Sequence, residues 1–450
     1  MSVVIKFKNY LILLISSAIL ISLLFFTQFS FNLPTSLYYK VSWKSQFLNT
    51  STLHILSLFI IIPLIAALNR WGTQQIRRWT ALIGLSGIML YFFSWQVMCG
   101  LFGVYIILYL ALANFLKSTK LFIGLIVLAI IGLILIFVYL PMNRYAYLLL
   151  MGQAIFGFYS ALIDKHRGLK EFDAIHLWLH WFCFPGGLFT ILYGYKTFSE
   201  SFHNKEYSLI ASKGSYLIGL SILQLITVQL VQIYYFPEYS FLRNKVATVA
   251  DASDSFYSLW GHGFKILFFF IFEQIGTINL LQGITQIFGY NVDRQIDGLW
   301  KANSFLDVWK RGSYNTRMYW INYIYMPILL KTKNIYLSDL SVWLIYGFIA
   351  SMAYGGLNIF YVKPDSISEI WITIFLKHFI MYGLASCLEM YIHKNYLMNK
   401  NKSNFIKYGL RLFLFVLMYM IYIIGNEFGP NPNSTLGETM KIILKMFGAS

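Results

Sequence analysis

Apolar runs of roughly 20 residues, the length that crosses a hydrocarbon core of about 30 Å as a helix, recur along this chain from one end to the other. Clear ones begin near Tyr10, Leu53, Thr80, Gly100, Leu121, Ala146, Gly214, Lys265, Leu337, Ile370 and Ile406. Lipid offers the backbone no hydrogen-bond partner, so a chain built of such runs folds into helices that satisfy their own N–H and C=O groups. Of the 450 residues, 58% are hydrophobic and only 12% charged, and a mean hydropathy of +0.62 excludes an ordinary water-soluble globule. The expected fold class is all-α: a polytopic integral membrane protein with about 11 to 13 transmembrane or re-entrant helices.

One further apolar stretch, AIHLWLHWFCFPGGLFTILY from Ala174, is interrupted by Pro185, Gly186 and Gly187. Irregular backbone at membrane depth survives only inside protein or beside a water-filled cavity, so this segment reads as a broken or re-entrant helix. The first run, YLILLISSAILISLLFFT, follows Lys6 and Lys8. It is long for a signal-peptide core and lacks a small-residue cleavage site, so it is expected to remain as an anchor with a cytoplasmic N-terminus. Basic loops at residues 69–79, 117–120, 164–170 and 393–407 fall on that same side when the helices are counted. The formal charge of +17 is then a matter of membrane topology and anionic headgroups rather than nucleic acid. The expected location is the plasma (inner) membrane. No soluble domain fits between the runs, so residues 1–450 read as one integral domain. Residues 31–51 are expected to form an external loop and 426–450 an external tail, in which Glu438 to Phe447 reads as an amphipathic interfacial helix. Cys99, Cys183 and Cys387 have apolar surroundings and no metal-ligand spacing.

The most specific segment runs from Leu281 to Leu330: LQGITQIFGYNVDRQIDGLWKANSFLDVWKRGSYNTRMYWINYIYMPILL. It holds a Phe288-Gly289-Tyr290 turn, then Phe305, Val308, Trp309, Lys310 and Arg311, and closes on Tyr323, Tyr325 and Pro327. These residues resemble the signature core of the membrane-bound O-acyltransferases, in particular bacterial members of the alginate O-acetylase and teichoic acid D-alanyl transferase type. Leu82 to Leu116, Phe158 to Phe198 and GFKILFFF at Gly263 resemble further parts of that family in the same order, so the likeness covers about residues 80–395. It implies that family's membrane fold. It also implies transfer of an acyl group, acetyl or D-alanyl or similar, from a cytoplasmic donor to a hydroxyl of a cell-envelope glycan, lipid or protein. The activated donor, an acyl-CoA or acyl carrier, would be a co-substrate rather than a tightly bound cofactor. The implied partners are membrane lipid and an acyl-carrier or envelope-assembly protein, with no nucleic acid and no metal.

Two positions depart from the family. After the tryptophan-arginine stretch, where relatives carry histidine, asparagine or aspartate, this chain has Ser313, with Asn315 nearby. Where the family places its catalytic histidine, in a Gly-x-x-His element, Gly355 is followed by Gly356, Leu357 and Asn358. Acyl transfer to a hydroxyl needs a base for the alcohol proton, and histidine suits with a pKa near 6.5. Asparagine can donate to a developing oxyanion but cannot take that proton. Asn358 and Ser313 thus mark the expected catalytic centre, and His378, an ionisable residue inside a predicted span beside Lys377, is the candidate replacement base. A packed histidine is the alternative reading. Trp309, Arg311, Asn315, Arg317 and Tyr325 are the candidate substrate-binding residues; Arg311, Arg317 and Lys310 suit an anionic group or, equally, mark a membrane boundary.

Four more residues enter the account. Glu273 lies inside a span and must be paired or protonated, with Arg317 or Lys265 as candidate partners. His262, in LWGHGF ahead of its helix, either meets a donor entering from the cytoplasm or is a solvated loop residue. His176 and His180 share a helical face at a spacing that suits a metal, but a third ligand is missing. A non-catalytic relative that binds lipid or an acyl carrier, or scaffolds an assembly, fits the absent histidines; a transporter reusing the fold would have Glu273 and His378 in the membrane.

Overall fold

The computed structural model describes residues 2–26, 72–115, 117–140, 144–183, 192–202, 207–236, 254–292, 295–296, 298–347, 375–398, 403–427 and 436–448. Among them every regular element is helical and no strand occurs. In chain order the first helices are α1 (Ser2–Phe26), α2 (Gln74–Phe92), α3 (Trp95–Asn114), α4 (Thr119–Tyr139) and α5 (Arg144–His166). They are followed by α6 (Ala174–Trp178), which continues as a π-helical turn over Leu179–Cys183, α7 (Tyr195–Ser201), α8 (Tyr207–Tyr235) and α9 (Phe256–Ile287). Then come α10 (Phe305–Gly312) and α11 (Tyr314–Trp320), the latter running through a π-helical turn (Ile321–Tyr325) into α12 (Met326–Thr332). An apolar helix α13 (Ile335–Gly347) is followed by a π-helical stretch Leu376–Gly383 that leads into α14 (Leu384–Ile392), α15 (Asn404–Glu427) and α16 (Leu436–Met446).

Five stretches, Trp95–Asn114, Thr119–Tyr139, Tyr207–Gln232, Phe256–Ile287 and Asn404–Ile424, are long and apolar enough to cross a membrane. The protein is an all-helical membrane protein, and these stretches are the runs expected from Gly100, Leu121, Gly214, Lys265 and Ile406. The run near Leu53, the loop 31–51 and the Pro185-Gly186-Gly187 break lie outside the described residues. Some starts differ from expectation for a capping reason. The Thr73 hydroxyl accepts from Ile76 N at 3.4 Å, so α2 begins at Gln74 and carries Arg77 and Arg78, expected in a loop, in its first turns. Ser255 likewise accepts from Ser258 N at 3.3 Å, which places His262 inside α9 rather than ahead of it.

The chain divides into two compact units. The first holds α1 to α7, α8 through Ile222, and α9 from Ile278 with the loop to Arg294. Its α3 and α4 pair antiparallel, Gly100 against Ile136 and Gly132 against Val104. Lys165, in the last turn of α5, donates to the carbonyls of Leu112 and Ala113 at the end of α3, supplying partners that the end of α3 lacks. Helices α8 and α9 touch backbone to backbone: a Cβ on Gly214 would lie 2.6 Å from the carbonyl oxygen of Gly283, and one on Gly283 would lie 2.7 Å from that of Gly214. With no hydrophobic force between helices in lipid, such close approach of small residues is a main source of packing. Helix α1 joins through Gly219, whose Cβ would fall 2.8 Å from Leu13 N, and through Asn9 Nδ2 donating to Ser212 Oγ at 3.0 Å. The Phe288-Gly289-Tyr290 motif ends α9: Gly289 takes a φ of +99° that a side chain would disfavour. Phe288 then seats on Gly84, and Tyr290 stacks on Phe198 at 4.4 Å.

The second unit holds Leu223–Thr277 of α8 and α9 and everything from Gln295 onward. Here Gly276 faces Leu225, Gln224 Nε2 donates to Phe272 O at 2.7 Å, and α15 meets α9 where Ile423 fills the space beside Gly263. Helix α16 forms where an amphipathic helix is expected. Its Ile443 and Met446 are buried, and Met446 O accepts from Trp260 Nε1 at 2.8 Å.

Replacing Gly283 by alanine puts a methyl group into the α8–α9 contact. The expected cost is about 1 to 3 kcal/mol, read as a lower unfolding temperature in detergent. Gly103→Ala, where nothing lies within 4 Å, leaves that temperature unchanged or raises it.

Candidate functional site

The signature stretch is shared between the units: its Phe288-Gly289-Tyr290 turn lies in the first, and everything from Gln295 in the second. Within the second unit, Ser304 starts α10 by accepting from Asp307 N at 3.3 Å. Glu389 of α14 completes that cap. It accepts from the Ser304 hydroxyl and, at 2.9 Å, from Leu306 N, a carboxylate at the positive end of a helix. Thus fixed, α10 turns Phe305 and Trp309 inward. Phe305 meets Trp343, Tyr382 and Tyr422 with ring centroids 5.8, 5.3 and 5.6 Å away. Trp309 lies 5.0 Å from Trp343 and 6.1 Å from Tyr346.

His378 belongs to the same cluster. Its ring lies 5.0 Å from Tyr346 and 5.5 Å from Tyr382, it is buried, and it sits in the π-helical stretch Leu376–Gly383. Two glycines let α13 approach that stretch: Gly347 faces the His378 Cβ, and Gly383 faces the Trp343 Cβ. Tyr346 therefore stands between two residues singled out in the sequence, Trp309 and His378. Trp320 at the end of α11 reaches Tyr346 as well, at 5.6 Å. Lys377 Nζ lies 5.9 Å from the Tyr382 ring centroid. Single-turn π-helical insertions recur at functional sites.

The other candidates take different places. Arg311 Nε binds both oxygens of Asp307, one turn earlier on α10, at 3.0 Å. Ser313 breaks the chain between α10 and α11 with φ −144° and ψ 43°. Gln295 restarts it: its carbonyl accepts from Tyr314 N (3.0 Å), its side-chain oxygen from Asn315 N (2.9 Å), and its amide donates to Thr316 Oγ1 (3.1 Å). Asn315 is buried there. Arg317 and Tyr325 both interact electrostatically with Asp339 of α13, beside which lie Ser386 and Trp343. Tyr323 and Tyr325 fall on the π-helical turn and Pro327 in the first turn of α12, a position that tolerates a missing N–H. Asn358 lies outside the described residues.

Glu273 takes its hydrogen bond from Gln232 Nε2 at 2.7 Å, not from the expected Arg317 or Lys265. Its own helix partner α8 supplies an amide at the same depth, and Lys265 instead lies over the Phe236 ring at 5.4 Å. His262 faces Asp254 at 3.7 Å. Glu389, Asp339 and Gln295 were not singled out in the sequence. The first two carried a usable signal, each being a carboxylate within an apolar helix; Gln295 carried none.

In the first unit, His176 and His180 are both buried. His176 is walled by Phe202 and Tyr290 at 5.0 and 5.9 Å, and His180 by Phe198 at 5.0 Å. No group of three metal-ligating side chains occurs among the described residues. Asp173 caps α6 by accepting from His176 N at 3.0 Å and pairs with Arg78 of α2. Burial by itself would raise the Asp173 carboxyl, but the His176 backbone N–H, the His176 ring and the Arg78 guanidinium outweigh it and hold the group below the ordinary carboxylate value.

The chain matches no protein-family profile and no curated protein.

Two outcomes are expected. Glu389→Ala strips the N-terminus of α10 of two partners and costs about 1.5 to 3 kcal/mol, read as a lower unfolding temperature and a shifted tryptophan emission from the Trp309–Trp343 pair. Asp173 is more acidic folded than unfolded, so its stabilisation is present above the ordinary carboxylate pKa of about 3.9 and is lost as pH falls through the lowered folded value. Thermal stability then declines at acid pH, and Asp173→Asn removes part of that decline.

Proposed function

We propose that this membrane protein is a relative of the membrane-bound O-acyltransferases, moving an acyl group from a cytoplasmic activated donor to a hydroxyl of an envelope glycan, lipid or protein. The observation that carries this reading is the Leu281–Leu330 signature, together with the convergence of Trp309 and His378 on Tyr346. In this reading His378 takes the proton of the attacking hydroxyl. Aromatic walls exclude water around it, which strengthens any hydrogen bond made there. By the resemblance, Asn358 and Ser313 stand where relatives carry their polar catalytic groups, and Trp309, Arg311, Asn315, Arg317 and Tyr325 are the substrate-binding candidates.

A second reading is a non-catalytic relative that binds lipid or an acyl carrier. It is favoured by the pairing of Arg311 with Asp307 and the use of Glu389 as a helix cap, which commit two charged groups of the region to structure.

Mass spectrometry of envelope glycans and lipids separates the two. Deletion should abolish an acyl modification. His378→Ala, at equal protein level, should reduce it by about 10²- to 10⁴-fold, the usual contribution of a general base. Modification that survives deletion sinks acyl transfer to those acceptors. Modification that disappears on deletion but survives His378→Ala keeps the enzyme and removes His378 from the role of base.

A further inference from the structure

Away from the signature region, the first unit buries a second set of polar atoms whose arrangement points to a ligand. Gln153, His180 and Trp181 are almost completely buried, and Gln153 Oε1, His180 Nδ1 and Trp181 Nε1 have no partner within the protein. They share one neighbourhood. Gln153 Nε2 donates to the carbonyl of His180 at 3.0 Å. Gly157, one turn further along α5, turns its Cα face to both rings: a Cβ there would lie 2.6 Å from Trp181 Cδ1, the atom bonded to Nε1, and 3.2 Å from His180 Nδ1.

The hydrogen-bonding sense of each atom follows from its neighbours. His180 Nε2 lies 2.9 Å from the carbonyl of Tyr193, which can only accept, so the imidazole proton is on Nε2 and Nδ1 offers a lone pair. Trp181 Nε1 can only donate. Gln153 Oε1 accepts, since its amide nitrogen is already used as a donor. One donor and two acceptors therefore remain, with the rings of Phe158 and Tyr105 packed on Trp181 and that of Phe198 on His180. A packed membrane core gains by replacing such groups with apolar ones unless something pairs them. The π-helical turn Leu179–Cys183 that carries His180 and Trp181 is itself a costly local geometry of the kind found at functional sites.

We propose that Gln153, His180 and Trp181 form a hydroxyl-binding site, in which one hydroxylic molecule accepts from Trp181 Nε1–H and donates to His180 Nδ1 or Gln153 Oε1. A water can satisfy all three atoms; the alcohol group of a lipid or other ligand can satisfy two. Both present the same chemistry to the site, and neither depends on the acyl-transfer reading.

The test is a density map of the full chain in lipid nanodiscs, at a resolution that shows ordered waters, for the wild type and Trp181→Phe. The expected result is a peak within about 2.7 to 3.2 Å of Trp181 Nε1 and His180 Nδ1 that is lost in Trp181→Phe. An isolated peak identifies a water. Density continuing into a larger molecule identifies a ligand hydroxyl, and mass spectrometry of the material released on denaturation should then show a hydroxylated compound at one per chain that is depleted in the variant. A wild-type map with ordered waters elsewhere and no peak here overturns the proposal, whether or not the variant folds. So does a peak that persists unchanged in Trp181→Phe.

Discussion

In hydrocarbon no backbone N–H or C=O can be handed to solvent, and the described structure follows from that constraint. Every regular element among the described residues is a helix, because a helix satisfies its own polar backbone and leaves only its ends to be dealt with. Those ends are met by specific side chains: Thr73, Ser94, Ser118, Asp173 and Ser304 each accept at a helix start. Lys165 closes the far end of α3 with its amino group. What then brings helices together is not hydrophobic force, which lipid removes, but closeness. Hence the glycines at the contacts of α3 with α4, α8 with α9, α1 with α8 and α13 with the His378 stretch, each placed where a Cβ would strike a neighbour.

A carboxylate inside such a body is costly unless it is paired, and two buried ones show how the pairing is made. Glu273 is met by Gln232 on the adjacent helix. Glu389 is met by the hydroxyl and backbone that begin α10. Through that cap the carboxylate decides where α10 starts, and so which of its residues face inward. Phe305 and Trp309 enter the aromatic cluster around Tyr346 and Tyr382, while Asp307 and Arg311 pair on the other side of the helix. His378 comes to the same cluster from another segment, supported by the glycine contacts of α13.

Some of this was legible beforehand. The apolar runs gave helix positions, because hydropathy and length suffice when the solvent is lipid. The Phe288-Gly289-Tyr290 turn and the helix at the C-terminal tail were readable for local reasons: a glycine that tolerates positive φ, and an apolar stripe on a short helix. Pairings were not. Arg311 has Asp307 one turn away, a spacing visible in the sequence, yet the resemblance drew attention to anionic substrates instead. Glu273 invites a cation as partner, yet an amide on the neighbouring helix serves it. His262 reads as a residue ahead of its helix, but Ser255 caps α9 seven residues earlier and brings it inside. Gln295, which restarts the chain at α11, looks like any polar loop residue, since its bonds to Tyr314, Asn315 and Thr316 reach residues about 20 positions later.

By itself, the sequence determined that the chain is all-helical and belongs in a membrane, where most of its helices fall, and which residues carry unusual chemistry for that setting. These are properties of single segments, and composition and periodicity encode them locally. Tertiary structure alone decided which of those residues meet: that Trp309 and His378 share Tyr346, that Glu389 caps a helix more than 80 positions before it, and that Gln153, His180 and Trp181 come together around Gly157 and the His180 carbonyl. Such meetings depend on how closely two helices approach and how each is rotated about its axis. Those quantities are set by glycine contacts and end caps distributed over the whole chain, and no window of sequence contains them.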